Sequence, residues 1–109
     1  MVAMVRVPTH REPTHPGEIL IEEFLKPLGI TQRELADAIH VPYQRVNEIV
    51  NRRRGVTPGT ALRLSKAFGS SVDFWLNLQQ RWDLYHAMRQ EQGALAEIRQ
   101  LRPGTAGAH

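Results

Sequence analysis

The sequence predicts an all-α domain of five helices. No stretch alternates apolar and polar residues with a period of two for long enough to make a strand. Apolar residues recur instead at spacings of three and four. Helix punctuation recurs too, as proline at opening positions, Thr or Ser with an acidic residue three places on, and glycine at the ends. At 109 residues the chain is one domain long and can bury one modest core.

Residues 1–14 hold two prolines and no sustained periodicity and are expected to form a flexible tail. Pro16, Gly17 and Glu18 open the first helix. Ile21, Phe24, Leu25 and Leu28 share one side of it, and Pro27 and Gly29 stop it. Thr31 and Glu34 are spaced as a capping box, in which each side chain satisfies the other residue's backbone N–H. They start a second helix that buries Leu35, Ala36 and Ile39 and ends near His40. Pro42 stands where the third helix can begin, since its missing N–H is not needed there. At about 100° per residue, Val46, Ile49 and Val50 fall in one arc. Gln44, Glu48 and Asn51 lie nearly opposite, with Arg45 and Asn47 on the flanks. Thr57 and Pro58 start the fourth helix, with Ala61, Leu64 and Phe68 inward and Gly69 as its stop. Ser70 and Asp73 resemble a cap for the fifth, which runs through FWLNLQQRWDLYHAMRQE. The working domain is expected over 15–90. In 91–109, an extension expected to be partly helical or disordered, Leu95, Ile98 and Leu101 recur at threes while Gly93 offers a break.

Composition narrows the function. Without cysteine there is no disulfide, no thiolate metal site and no cysteine nucleophile, as suits a reducing compartment. The five histidines show no i, i+4 pairing or carboxylate set, so no metal is expected. Ser70 and Ser71 read as cap residues, and the adjacent Glu22 and Glu23 point about 100° apart on a helix. No base stands beside a nucleophile, so neither enzymatic activity nor a cofactor is expected. No apolar run reaches the ~18 residues of a membrane span. The start, MVAMVRVPTHREP, lacks the apolar region of a signal peptide, so a cytoplasmic protein is expected, beginning at Met1 or Met4.

The net charge is +3, and residues 40–55, HVPYQRVNEIVNRRRG, carry as much by themselves: Arg45, Arg52, Arg53 and Arg54 against Glu48. An excess confined to one segment points to a local anionic partner. Two short helices joined by a tight turn, the second amphipathic with a polar outer face, make a helix-turn-helix, whose second helix fits a major groove ~12 Å wide. Tyr43, Gln44, Arg45 and Asn47 are then the candidate base readers: Gln can bond adenine bidentately, Arg can bond guanine, and the Tyr ring can pack on a thymine methyl. Glu48 could accept from cytosine or orient an arginine. Gln32, Asn51, Arg52, Arg53 and Arg54 are the candidate phosphate contacts, Gln32 helped by the positive end of its helix. Trp75, Leu78, Trp82, Tyr85 and Met88 recur at threes and fours over about 20 Å of the fifth helix, more than a four-helix core of this size covers. Part of that stripe is expected to be core, and the rest to bury itself against a second copy.

TQRELADAIHVPYQRVNEIVNRRRGVTPGTALRLSKAFGSSVDFWLNLQ resembles the core of the HigA antitoxin family, a branch of the phage-repressor-like XRE superfamily. The preceding HPGEILIEEFLKPLGIT is similar to that family's opening, so the resemblance covers roughly residues 15–90. A bare helix-turn-helix is shared by many repressors; the HPGEIL, NRRRGVTPGTALRL and FWLNLQ segments in one chain narrow the match. The resemblance implies a lambda-repressor-like fold and a homodimer that binds a palindromic double-stranded operator before its own operon. It also implies a protein partner, a HigB-type toxin that cleaves mRNA on the ribosome. It places Gln32, Tyr43, Gln44, Arg45, Asn47, Asn51 and the arginine run on the DNA side. One departure is His40, where the family's turn commonly has glycine. Two other readings share the same residues: a stand-alone XRE-type transcriptional repressor without a toxin, and an interaction module whose basic patch meets an acidic protein.

Overall fold

The computed structural model describes residues 11–101, and the alternative starts Met1 and Met4 lie outside them. Among the described residues all regular structure is helical. An α-helical turn at Pro16–Ile19, a π-helix at Leu20–Leu25 and a last turn at Lys26–Leu28 run on without interruption and together form α1. Then come α2 (Gln32–Ile39), α3 (Tyr43–Val50), α4 (Pro58–Phe68) and α5 (Val72–Ala96).

Helix α1 departs from the expected register. Pro27 does not stop it; the helix continues to Leu28, and Gly29, left-handed at φ 68°, ends it. A proline ring inside a helix collides with the carbonyl four residues earlier, and the widened π-turn just before Pro27 relieves that collision. The i→i+5 repeat also rotates the inner face. Leu20 and Leu25, five apart, are buried, Ile21 and Phe24 only partly, and Leu28 is 58% exposed.

The remaining elements follow local chemistry. Thr31 Oγ1 accepts from the Glu34 N–H at 3.0 Å and Glu34 Oε1 from the Thr31 N–H at 2.9 Å, completing the capping box. Pro42 stands just ahead of α3, extended at ψ 144°, and not inside its first turn. The cap of α5 is Ser71, whose hydroxyl accepts from the Phe74 N–H at 3.0 Å, in place of the expected Ser70. Ser70 is engaged elsewhere: its hydroxyl accepts from the Trp75 indole N–H at 2.9 Å. Helix α5 runs through Gly93 to Ala96, past the segment read from the sequence.

Leu20, Leu25, Leu35, Ala36, Ile39, Val46, Ile49, Val56, Ala61, Leu64 and Trp75 form the core. Phe24 ties three helices together on one side of it, with ring centroids 4.7 Å from Phe68 and 5.1 Å from Trp75. Trp75, expected in the intersubunit stripe, is thus fully buried within its own chain, and Tyr85 is only 8% exposed. Trp82 is half-covered and Met88 is 45% exposed.

The start of α1 is built to hold α3. His15 is 2% exposed, and its Nδ1 accepts from the Gly17 N–H at 2.9 Å, capping the helix. Its ring stands edge-on to Trp82, with centroids 4.8 Å apart. Because a backbone N–H must donate, Nδ1 carries no proton and the imidazole is neutral. Burial holds the His15 pKa below its ordinary 6.5; the Arg52 charge lowers it further, while Asp83, Glu12 and Glu18 pull the other way. Below pH about 6.5 the unfolded chain therefore takes up a proton that the folded chain refuses. This contribution to stability is whole above that pH and is lost as pH falls toward the folded-state pKa. Urea titrations between about pH 7.5 and 5 are expected to show stability falling on acidification, with a shallower fall in His15→Asn, which keeps a capping acceptor but does not titrate. Equal slopes in the two proteins would remove His15 from the account.

Candidate nucleic-acid interface

Helices α2 and α3 meet across a turn set by His40, which is left-handed at φ 60°. The Val41 N–H reaches the Ala36 carbonyl at 3.0 Å and the His40 N–H that of Asp37 at 3.3 Å, the paired bonds of a Schellman stop. Histidine thus takes the conformation that glycine adopts more freely, and the paired bonds offset the strain. Arg63 adds a bond from α4, its guanidinium donating to the Ile39 carbonyl at 2.7 Å. Buried Val46 and Ile49 seat α3 on the core, which leaves its opposite face to solvent.

That face carries the four candidate readers in unequal states. Gln44 is exposed and Arg45 half-buried. Tyr43, at the start of α3, is 39% exposed. Asn47 is half-buried, and its amide nitrogen donates to Gln32 Oε1 at 3.0 Å and to the Tyr43 hydroxyl at 3.3 Å. With its N–H groups so used, Asn47 is left with its oxygen, which suits an amino group on a base edge and not the bidentate adenine pattern. Gln32, at the first position of α2, uses its oxygen in this bond, and its NH₂ has no hydrogen-bond partner among the described residues.

The candidate phosphate contacts also divide. Arg53 has no carboxylate partner among the described residues. The Arg54 Nε donates to Glu48 Oε1 at 2.8 Å, so Glu48 orients an arginine. The Asn51 amide nitrogen bonds the Asn47 carbonyl at 2.9 Å. Arg52 is left-handed at φ 63°, completing a Schellman stop for α3 in which the Arg53 N–H bonds the Glu48 carbonyl at 2.8 Å. Its side chain turns toward α1 and α5. It lies 3.2 Å from Glu18 and 3.8 Å from Glu12, with the guanidinium carbon 5.7 Å from the Trp82 ring centroid. Arg52 therefore ties the end of α3 to the body of the domain through two carboxylates and an indole. Glu12, assigned from the sequence to the tail, belongs to this cluster and also lies 2.8 Å from His86 Nε2.

Sequence reasoning missed three residues here. Gly17 packs against the backbone of α3, and His15 seats the turn that brings it there. Arg33 places its guanidinium carbon 4.5 Å from the Tyr43 ring centroid. A signal for Arg33 was available, since a cation in the first turn of a helix opposes the helix dipole and needs another reason to be there.

A capped short helix, a tight left-handed turn and a second helix presenting amide, phenol and guanidinium groups define a helix-turn-helix DNA-binding module. The helix-turn-helix family matches residues 21–75. The virulence-associated protein I of Dichelobacter nodosus is 51% identical over 78 residues, 72% of each chain. The antitoxin HigA-1 of Vibrio cholerae is 42% identical over 78 residues, 71% of this chain and 72% of its own length. The solved structure of Pseudomonas aeruginosa antitoxin HigA with the higBA promoter superposes with a TM-score of 0.79 at 40% identity, covering 83% of this chain and 99% of that one. The chain belongs to the helix-turn-helix family, in its HigA antitoxin branch, and its five helices have the lambda-repressor-like arrangement.

Proposed function

We propose that this protein is a sequence-specific DNA-binding antitoxin that represses its own operon and neutralises a HigB-type mRNA-cleaving toxin. The observation that carries the reading is the outer face of α3. There Tyr43, Gln44, Arg45 and Asn47 stand together, braced from α2 and flanked by Arg53, which has no carboxylate partner among the described residues. The unit that does this is residues 15–90, acting by binding and not by catalysis, in the cytoplasm. Among the described residues no helix is long and apolar enough to cross a membrane. Two copies joined through the outer part of α5, with Leu78, Trp82 and Met88 at the contact, would present two α3 helices to a palindrome with half-sites about 34 Å apart. A dimer at micromolar concentration in sedimentation is the expected result, and a monomer there would remove that contact.

The direct test is fluorescence anisotropy with duplex DNA from immediately upstream of the reading frame, and co-purification with the product of the neighbouring gene. Absence of DNA binding at low salt would overturn the reading. DNA binding without a toxin-like companion would leave a stand-alone repressor; a 47%-identical relative of Escherichia coli, YbaQ, is named an HTH-type transcriptional regulator.

Clamps and readers separate by salt and sequence. Arg53→Ala is expected to weaken binding to cognate and random duplexes alike and to flatten the log K against log salt slope by about 0.9. Gln44→Ala is expected to cost ~1–3 kcal/mol on the operator alone. If the two variants behaved identically on both duplexes, this division of labour would be wrong.

A further inference from the structure

We infer that Arg33 is a positioning residue for sequence reading: its guanidinium, stacked over Tyr43, fixes the ring in the orientation from which it meets a base. This rests on the DNA-binding reading and adds a specificity determinant to it.

Tyr43 opens α3 at the solvent edge, where a ring would otherwise be free to change rotamer. Two groups restrain it. The Asn47 amide donates to its hydroxyl at 3.3 Å, a long bond, and Arg33 lies over its face with the guanidinium carbon 4.5 Å from the centroid. Arg33 has no carboxylate partner among the described residues, so nothing there draws it elsewhere. It also lies in the first turn of α2, where the helix dipole disfavours a cation, so its place there needs another reason. A planar guanidinium stacks on a ring in a way an ammonium does not. Together with the Gln32–Asn47 bond at 3.0 Å, the stack makes a second brace from α2 to the outer face of α3. Both braces exist before any DNA arrives, so the reader side chains do not have to be ordered on binding. One face of the Tyr43 ring is occupied by Arg33, which leaves its edge for a thymine methyl or a sugar.

The test is a double-mutant cycle on Arg33 and Tyr43. Its probes are the tightest duplex recovered from a randomised pool and a scrambled version of it. Arg33→Ala is expected to lower affinity for the selected duplex about fivefold. It should leave affinity for the scrambled duplex and the salt slope unchanged. In a Tyr43→Ala background Arg33→Ala should have no further effect. In Tyr43→Phe, which keeps the ring, its effect should persist in full. The proposal is overturned if Arg33→Ala weakens both duplexes equally and flattens the salt slope by about 0.9, because Arg33 is then a phosphate contact. It is equally overturned if its effect adds in full to that of Tyr43→Ala, or if it has none. A wild-type protein that does not distinguish the two duplexes would be a separate result, removing the DNA-reading function and this inference with it.

Discussion

Gly17→Ala is expected to lower the thermal midpoint by about 12 °C or more, or to prevent folding. The α-carbon of Gly17 lies against the last turn of α3. A Cβ built on it would overlap the carbonyl oxygen of Ile49, lie 2.7 Å from that carbonyl carbon and 3.0 Å from the Val50 α-carbon. These obstacles are backbone, and no rotamer change clears them. Either α3 shifts, which pulls buried Ile49 out of the core, or the start of α1 lifts away, which uncovers buried His15 and Pro16. Overpacking a side chain costs ~1–3 kcal/mol, and a collision with backbone belongs at or above the top of that range. In a domain of this size each kcal/mol moves the midpoint by roughly 4–8 °C. Gly93→Ala is the control. A Cβ there meets nothing within 4 Å, and the residue lies inside α5, so the change should stabilise by about 0.5–1 kcal/mol. Circular dichroism melts read both. A Gly17→Ala protein melting within about 2 °C of wild type would mean that α1 is not what holds α3 in place. Any Gly17→Ala protein that does fold should also bind DNA more weakly, since the clash falls on the helix that carries the readers.

What could be read from the sequence was whatever is decided within one turn of helix. Thr31 with Glu34, Thr57 before Pro58, and Gly69 act on neighbours three or four residues away, so residue types at fixed spacing specify them. The division of α3 into a buried arc and a polar face is legible for the same reason. What could not be read depends on contacts between distant segments. Arg52 is the third residue from the end of a run of three, yet its partner Glu18 is 34 positions away, and no local rule says which arginine of the run is taken. Ser70 and Ser71 are equivalent as cap candidates until the Trp75 indole claims one of them. The π-turn in α1 depends on the collision at Pro27, and Gly17 matters only because α3 passes over it. The expected positions of Tyr43, Gln44, Arg45 and Asn47 on α3 and of Gln32 at the start of α2 are those of the structure, while the pairings of Glu48 with Arg54 and Asn47 with Gln32 required the fold.

Trp75→Ala is expected to destabilise the domain by about 3–5 kcal/mol, to the same extent at every protein concentration. Trp75 and Met88 lie on the same helix, but only Met88 has area left for a second chain. The indole is 0% exposed, packs at 5.1 Å on Phe24 and 5.0 Å on Phe74, and donates to Ser70 at 2.9 Å. Removing it leaves a cavity where α1, α4 and α5 meet and strips Ser70 of its donor, so the transfer and cavity contributions add. Trp75→Phe should recover most of that loss, because it restores apolar volume and leaves only the Ser70 bond unmade. Met88→Ala should behave in the opposite way, leaving the fold of each chain intact and weakening whatever association α5 supports, an effect that grows on dilution. Urea titrations of the variants at two concentrations about a hundredfold apart separate the two behaviours, since a change confined to one chain shifts the midpoint equally at both. A Trp75→Ala midpoint that matched wild type in concentrated solution and collapsed only on dilution would place the indole between subunits. The apolar stripe of α5 would then be continuous from Trp75 to Met88, and the inner boundary of the association surface would lie about one turn closer to the core than the packing around Phe24 permits.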